Sequence, residues 1–130
     1  SILSDKSSKI LMEIEQELTE KIKNKGISVK IEGREKKPYS IWKKIERKSI
    51  SLEQLSDVYG FRAVTNNIED CYNVIGIVHR EWRAVPGRFK DYISTPKQND
   101  YRSIHTTLIG PNNQRIELQV RSNEMQEVAE

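Results

Sequence analysis

A chain of 130 residues and 15.2 kDa has room for one hydrophobic core, and its 35% hydrophobic and 32% charged content falls into ordered patterns that exclude disorder. No apolar run approaches the ~18 residues of a membrane span and no apolar signal core opens the chain, so a soluble protein is expected. The net charge of +3 is small but unevenly placed: Arg34, Lys36, Lys37, Lys43, Lys44, Arg47 and Lys48 crowd one segment, and Arg80, Arg83, Arg88, Lys90, Lys97 and Arg102 a second.

Ile10, Leu11, Ile14, Leu18 and Ile22 recur at helical intervals, which predicts a leading amphipathic helix within residues 1–26 that Gly26 ends. Lys21, Lys23 and Lys25 in its last turn oppose the negative end of the helix dipole and need no ligand. Ile27, Val29 and Ile31 then alternate as in a half-buried strand closed by Gly33. Pro38 opens a short basic helix through Ile41, Trp42 and Ile45 to about Lys48, and Ser51 with Gln54 has capping-box spacing for another helical turn. The β-formers of Val58 to Thr65 predict a second strand.

Asn67 is placed to cap a helix whose inner face is Cys71, Val74, Ile75, Val78 and Trp82. Cys71 is the lone cysteine, so no intramolecular disulfide forms, and a reducing cytoplasmic setting fits. From Ala84 to Arg102 neither period holds, which predicts a long irregular loop of the kind that carries function. The runs Ile104 to Ile109 and Arg115 to Arg121 read as strands of a hairpin turned at 110–114. Alternation puts Ile116, Leu118 and Val120 on one face and Glu117, Gln119 and Arg121 on the other, with His105 on the partner strand's polar side. Met125 to Glu130 begins what reads as a new helix, so a fragment of a longer protein, forming a single domain, is expected.

A carboxylate and a histidine on the unburied face of a sheet also fit plain solvent exposure. Asp57, at the entrance to the strand ending near Thr65, supplies a second carboxylate, and two from adjacent sheet elements can share Mg²⁺ with triphosphate oxygens. Basic groups for phosphates, planar groups for bases and directional amides occur together in 33–44 and in Pro96 to Tyr101.

Taken in order, Gly33-Arg34-Glu35-Lys36, Asp57-Val58-Tyr59-Gly60-Phe61-Arg62, Pro86 to Ile93, Ser103 to Thr107 and Glu117-Leu118-Gln119-Val120-Arg121 resemble the synthetase domain of the RelA/SpoT family. The resemblance covers about residues 27–130, and its most specific parts are Pro86 to Ile93 and the strand from Glu117 to Arg121. It implies an α+β fold, a mixed sheet flanked by helices similar to the nucleotidyltransferase (polymerase β-like) superfamily. The implied activity is transfer of pyrophosphate from ATP to the 3′-hydroxyl of GDP or GTP.

By similarity, Arg34 and Arg62 would sandwich adenine, and Lys36, Ser40 and Lys44 would hold the ATP phosphates. Tyr101 would stack on guanine, Asn99 would orient that nucleotide, and Lys97 and His105 would reach its 5′-phosphates, with Arg88 and Lys90 on the same acceptor side. Asp57 and Glu117 would hold Mg²⁺, Glu117 being also the base for the 3′-hydroxyl, with Gln119 in support. The basic Arg88-Phe89-Lys90-Asp91 loop resembles that of bifunctional members, and any RNA or ribosome contact would fall to regions outside this chain. Asp100 and Arg102 depart from the glycine and glutamine that relatives favour there. Two other readings stay open: a degenerate domain that binds nucleotide without turnover, and an RNA-binding module using the basic patches with Tyr92 and Tyr101.

Overall fold

The computed structural model describes residues 2–35 and 58–129, with the side chains of 2–5, 34 and 35 excepted. The expected basic helix from Pro38, the turn at Ser51 and the residues Lys36, Ser40, Lys44 and Asp57 lie outside the described residues.

The leading helix, α1 (Ile2–Lys23), buries Ile14, Leu18 and Ile22 completely and ends at Gly26, whose φ of 84° is the left-handed cap a glycine adopts without a Cβ clash. Strand β1 (Val29–Glu35) follows and runs through Gly33 instead of stopping there. The cause is packing: Gly33 is in register with Phe61, and a Cβ at Gly33 would fall 2.5 Å from Phe61 Cε1 and 3.2 Å from Leu11 Cδ1. Since Phe61 is 4% exposed and its ring must shift to admit the methyl, Gly33→Ala is expected to destabilise the fold by about 1–3 kcal/mol. A urea midpoint matching the parent's would show that Phe61 repacks freely.

Strand β2 (Val58–Thr65) alternates half-buried and buried residues along its whole length. Asn67 caps α2 (Ile68–Glu81) through its side-chain oxygen, which accepts from the Asp70 N–H at 2.8 Å, and Cys71, Val74, Ile75 and Val78 form the buried face. The stretch expected to be wholly irregular contains two short strands, β3 (Arg83–Ala84) and β4 (Lys90–Asp91), both antiparallel to β5 (Ile104–Ile109). Two-residue strands carry no readable period, which is why alternation misses them. A 3₁₀ turn at Pro111–Asn113 joins β5 to β6 (Arg115–Ser122), and α3 (Asn123–Ala129) follows.

The strand order is β1-β2-β6-β5-β3, with β4 also on β5. Among the described strands only β2 and β6 run parallel, so the sheet is mixed. Ile104 and Leu108 of β5 and Ile116, Leu118 and Val120 of β6 are fully buried in one core with α1 and α2. Burying a Leu or Ile side chain is worth about 1.5–3 kcal/mol, so this one-sided apolar face fixes the register, because a one-residue slip of β6 would expose its three apolar residues and a slip of β5 its two. Both long helices thus cover one side of the sheet and leave the other for polar groups. Among the described residues no helix is long and apolar enough to cross a membrane.

Candidate active site

The polar side is organised as two cross-strand rows. Arg34 pairs with Gly60, Gly60 with Glu117, and Glu117 with Thr107. One pleat further along, Glu32 pairs with Arg62, Arg62 with Gln119, Gln119 with His105, and His105 with Lys90. Cross-strand partners share a face and neighbouring strands lie about 4.8 Å apart, so five strands deliver Glu32, Arg62, Lys90, His105, Thr107, Glu117 and Gln119 to one surface. Gly60 brings no side chain to the middle of the first row.

These rows floor a hollow of about 410 Å³ lined by Glu32, Arg62, Arg88, Lys90, His105, Thr107, Glu117 and Gln119, among others. A second, of about 680 Å³, is lined by Asn99, Tyr101, Arg121 and the apolar Ile68, Met125 and Val128. Arg62 and Gln119 line both and so form a shared wall. Arg62 Nε is buried there without a hydrogen-bond partner, a donor held ready for an acceptor that enters.

Around the second hollow the polar groups are tightly linked. Arg121 donates to the Tyr101 hydroxyl oxygen and to Gln119 Oε1, both at 2.8 Å, and Gln126 Oε1 lies 3.3 Å away. The Tyr101 hydroxyl stands 2.9 Å from His105 Nε2 and donates to Ser103 Oγ at 3.2 Å. Lys97 Nζ sits 4.6 Å from the Tyr92 ring centre and 5.4 Å from that of Tyr101, within cation–π range. Lys97 lines neither hollow and lies against these two rings. Asn99 Oδ1 accepts the Tyr101 N–H at 3.1 Å, which ties the amide to its own turn. Asp100 adopts φ 62° in that turn, the left-handed conformation that aspartate tolerates better than most residues, and its N–H bonds to the Lys97 carbonyl at 2.8 Å.

Burial pushes the His105 imidazole below its ordinary value of 6.5, the charges of Lys97 and Arg121 push it further, and Glu117 opposes them. His79, held 2.7 Å from Thr106 Oγ1 and edge-on to Phe89, is also pushed down by burial. A histidine depressed in the fold binds protons more readily when unfolded, so its stabilisation is complete above about 6.5 and lost as pH falls through the depressed folded values. The melting temperature is expected to hold between about pH 7 and 8 and to fall from about 6.5 to 5, with His79→Gln flattening the fall. Asp91 acts in a separate window, because its carboxyl is held below 3.8. A flat profile down to pH 5 in thermal melts at constant ionic strength would contradict the assignment of both imidazoles.

Of the residues expected from sequence, Glu117, Gln119, Arg62, His105, Arg88 and Lys90 meet in the first hollow, and Asn99 and Tyr101 in the second. Arg34 is placed by its backbone register alone. The sequence reading overlooked Thr107, although it is in phase with His105, and gave no role to Arg121 or to the apolar wall of the second hollow. Among the described residues no cluster of three or more His, Cys, Asp or Glu forms a metal centre. Glu117 is a hard oxygen donor beside a cationic cleft, which suits a Mg²⁺ that takes one or two carboxylates and completes its shell with phosphates and water.

Residues 33–130 match the region found in RelA / SpoT proteins. The GTP pyrophosphokinase rsh of Brucella ovis is 55% identical over 128 residues, 98% of this chain and 17% of its own length. A guanosine-3′,5′-bis(diphosphate) 3′-pyrophosphohydrolase of Aquifex aeolicus is 50% identical over 105 residues, 81% of this chain and 15% of that protein. This chain thus spans less than a fifth of the curated relatives it matches. The crystal structure of the small alarmone synthetase 1 from Bacillus subtilis bound to its product pppGpp superposes with a TM-score of 0.63 at 26% identity, covering 96% of this chain and 76% of that one. Matched in sequence from the close approach at Gly33 to α3, and in fold as an α+β mixed sheet flanked by helices, the chain belongs to the RelA/SpoT family.

Proposed function

We propose that this domain transfers the β,γ-pyrophosphoryl group of ATP to the 3′-hydroxyl of GDP or GTP, making ppGpp or pppGpp. The observation that carries the reading is the shared wall: two hollows meet at Arg62 and Gln119, and Glu117 stands one pleat away in the row that opens onto Gly60. Two nucleotides bound side by side would meet beside one carboxylate.

In the reaction the acceptor 3′-oxygen bonds to the β-phosphorus, the bond from that phosphorus to the oxygen bridging to the α-phosphate breaks, and AMP leaves. Glu117 takes the hydroxyl proton, and Gln119 steadies the acceptor beside it. On the donor side Arg34 and Arg62 enclose adenine, as planar guanidinium groups can, while Lys36, Ser40 and Lys44 hold phosphates. On the acceptor side Tyr101 stacks on guanine, Asn99 fixes the turn that presents it, and Lys97, Arg88 and Lys90 draw in the 5′-phosphates. His105 stays neutral in the free domain and gains proton affinity as those phosphates approach. Mg²⁺ held by Asp57 and Glu117 would neutralise charge on the transferred oxygens.

The parent is proposed to be a longer cytoplasmic protein of which this is one domain, with hydrolysis of the product, where present, belonging to another. The test is to incubate the protein with γ-labelled ATP, GDP or GTP and Mg²⁺. Label in a guanosine product is expected. Nucleotide binding without transfer would make it a binding domain, and steeply salt-dependent RNA affinity without nucleotide binding an RNA module.

A further inference from the structure

Tyr72 projects from the outer side of α2 and is 38% exposed, an ordinary surface tyrosine by position. Its hydroxyl, however, is engaged across the chain: it donates to Asp91 Oδ2 at 2.8 Å and lies 2.7 Å from Ser94 Oγ. The same carboxylate accepts the Ile93 and Ser94 N–H groups on Oδ1, each at 2.9 Å, and the Ser94 hydroxyl on Oδ2 at 2.8 Å. Four donors on one carboxylate exceed what a surface aspartate needs to satisfy itself. Burial works against the charge of Asp91, but these bonds outweigh it and keep the group ionised.

What the arrangement holds follows from alternation. Asp91 and Lys90 are the only residues of β4, and adjacent strand residues point to opposite faces. With Asp91 turned to α2, Lys90 is turned to the polar side, opposite His105 and into the first hollow. A two-residue strand has few ladder bonds to hold itself, and the neighbouring Phe89, 44% exposed, meets α2 edge-on at His79. On the far side Ile93 pins the loop to the core and the Tyr92 N–H bonds to the Ser103 carbonyl at 2.8 Å, while the hydrogen bonds at Asp91 tie β4 to α2.

We propose that Tyr72, acting through Asp91 and Ser94, is a positioning residue that aims Lys90 at the anionic phosphates of the acceptor nucleotide. The inference rests on reading the cleft as a nucleotide site. Tyr72 touches no substrate in this arrangement; it latches a strand to a helix that the core holds rigid.

Tyr72→Phe deletes the hydroxyl and keeps the ring. Steady-state transfer would be measured for the parent, Tyr72→Phe, Lys90→Ala and the double variant, with melting temperatures alongside. Tyr72→Phe is expected to raise the acceptor KM about fivefold while kcat and the ATP KM stay within about twofold, and to add nothing once Lys90 is alanine. An unchanged acceptor KM, full additivity in the double variant, or an equal rise in both KM values with a lower melting temperature would overturn it. A parent protein that neither binds GDP nor transfers label overturns the cleft reading and this inference together, whereas a parent that transfers and a Tyr72→Phe variant that matches it overturn this inference alone.

Discussion

Glu117→Gln is expected to lower pyrophosphoryl transfer by about 10³-fold or more while moving the melting temperature by no more than a few degrees. The substitution keeps shape and volume, and residue 117 sits mid-strand between β2 and β5, where backbone pairing to Gly60 and Thr107 does not involve the side chain. What the amide removes is proton affinity and a full negative charge. General-base assistance alone is worth about 10²–10⁴, and loss of a metal-binding oxygen adds to it. The fall should appear in kcat, since neither adenine nor guanine is read by this carboxylate. Transfer within about tenfold of the parent would remove Glu117 from the chemistry. Asp57→Asn gives a parallel comparison for the second proposed metal-binding carboxylate.

The parts of this site that could be read in sequence are those set by local rules. Strict alternation in β6 separates Ile116, Leu118 and Val120 from Glu117 and Gln119, and the structure buries the first three completely. Asn67 caps α2 because a short side-chain oxygen is what an exposed helix N-terminus needs, a requirement visible one residue before the helix begins.

The remainder depends on partners distant in the chain. Gly33 reads as a strand terminator by composition and becomes a mid-strand residue because Phe61, in another strand, fills the space of its missing side chain. Tyr72 and Asp91 carry no period or motif that pairs a helix surface with a loop 19 residues away. Arg121 reads as one more residue on a polar face, whereas the structure leaves it 3% exposed.

That burial sets the second large effect, because it decides what Arg121 is for. Its guanidinium is pushed below its ordinary value by burial and by Arg62, with Tyr101 opposing, and among the described residues no carboxylate acts on it. Its Nε is buried without a partner. A buried cation with no counter-ion carries a desolvation cost of several kcal/mol, while each hydrogen bond from a charged donor returns about 1.5–3 kcal/mol. With bonds to Tyr101, Gln119 and Gln126, these terms nearly cancel, so Arg121 is a poor stabiliser for all its contacts.

Its effect is positional: it holds the Tyr101 hydroxyl and the Gln119 amide, the two groups that bracket the proposed acceptor. Arg121→Met, which keeps the length and apolar stem, is therefore expected to change stability by less than about 1 kcal/mol and to raise the acceptor KM by about 10–30-fold, equivalent to about 1.4–2 kcal/mol of lost binding. Urea unfolding and steady-state kinetics on the same preparation separate the two quantities. A loss of several kcal/mol with an unchanged KM would make Arg121 a structural residue, and would leave the orientation of Tyr101 to His105 and Ser103.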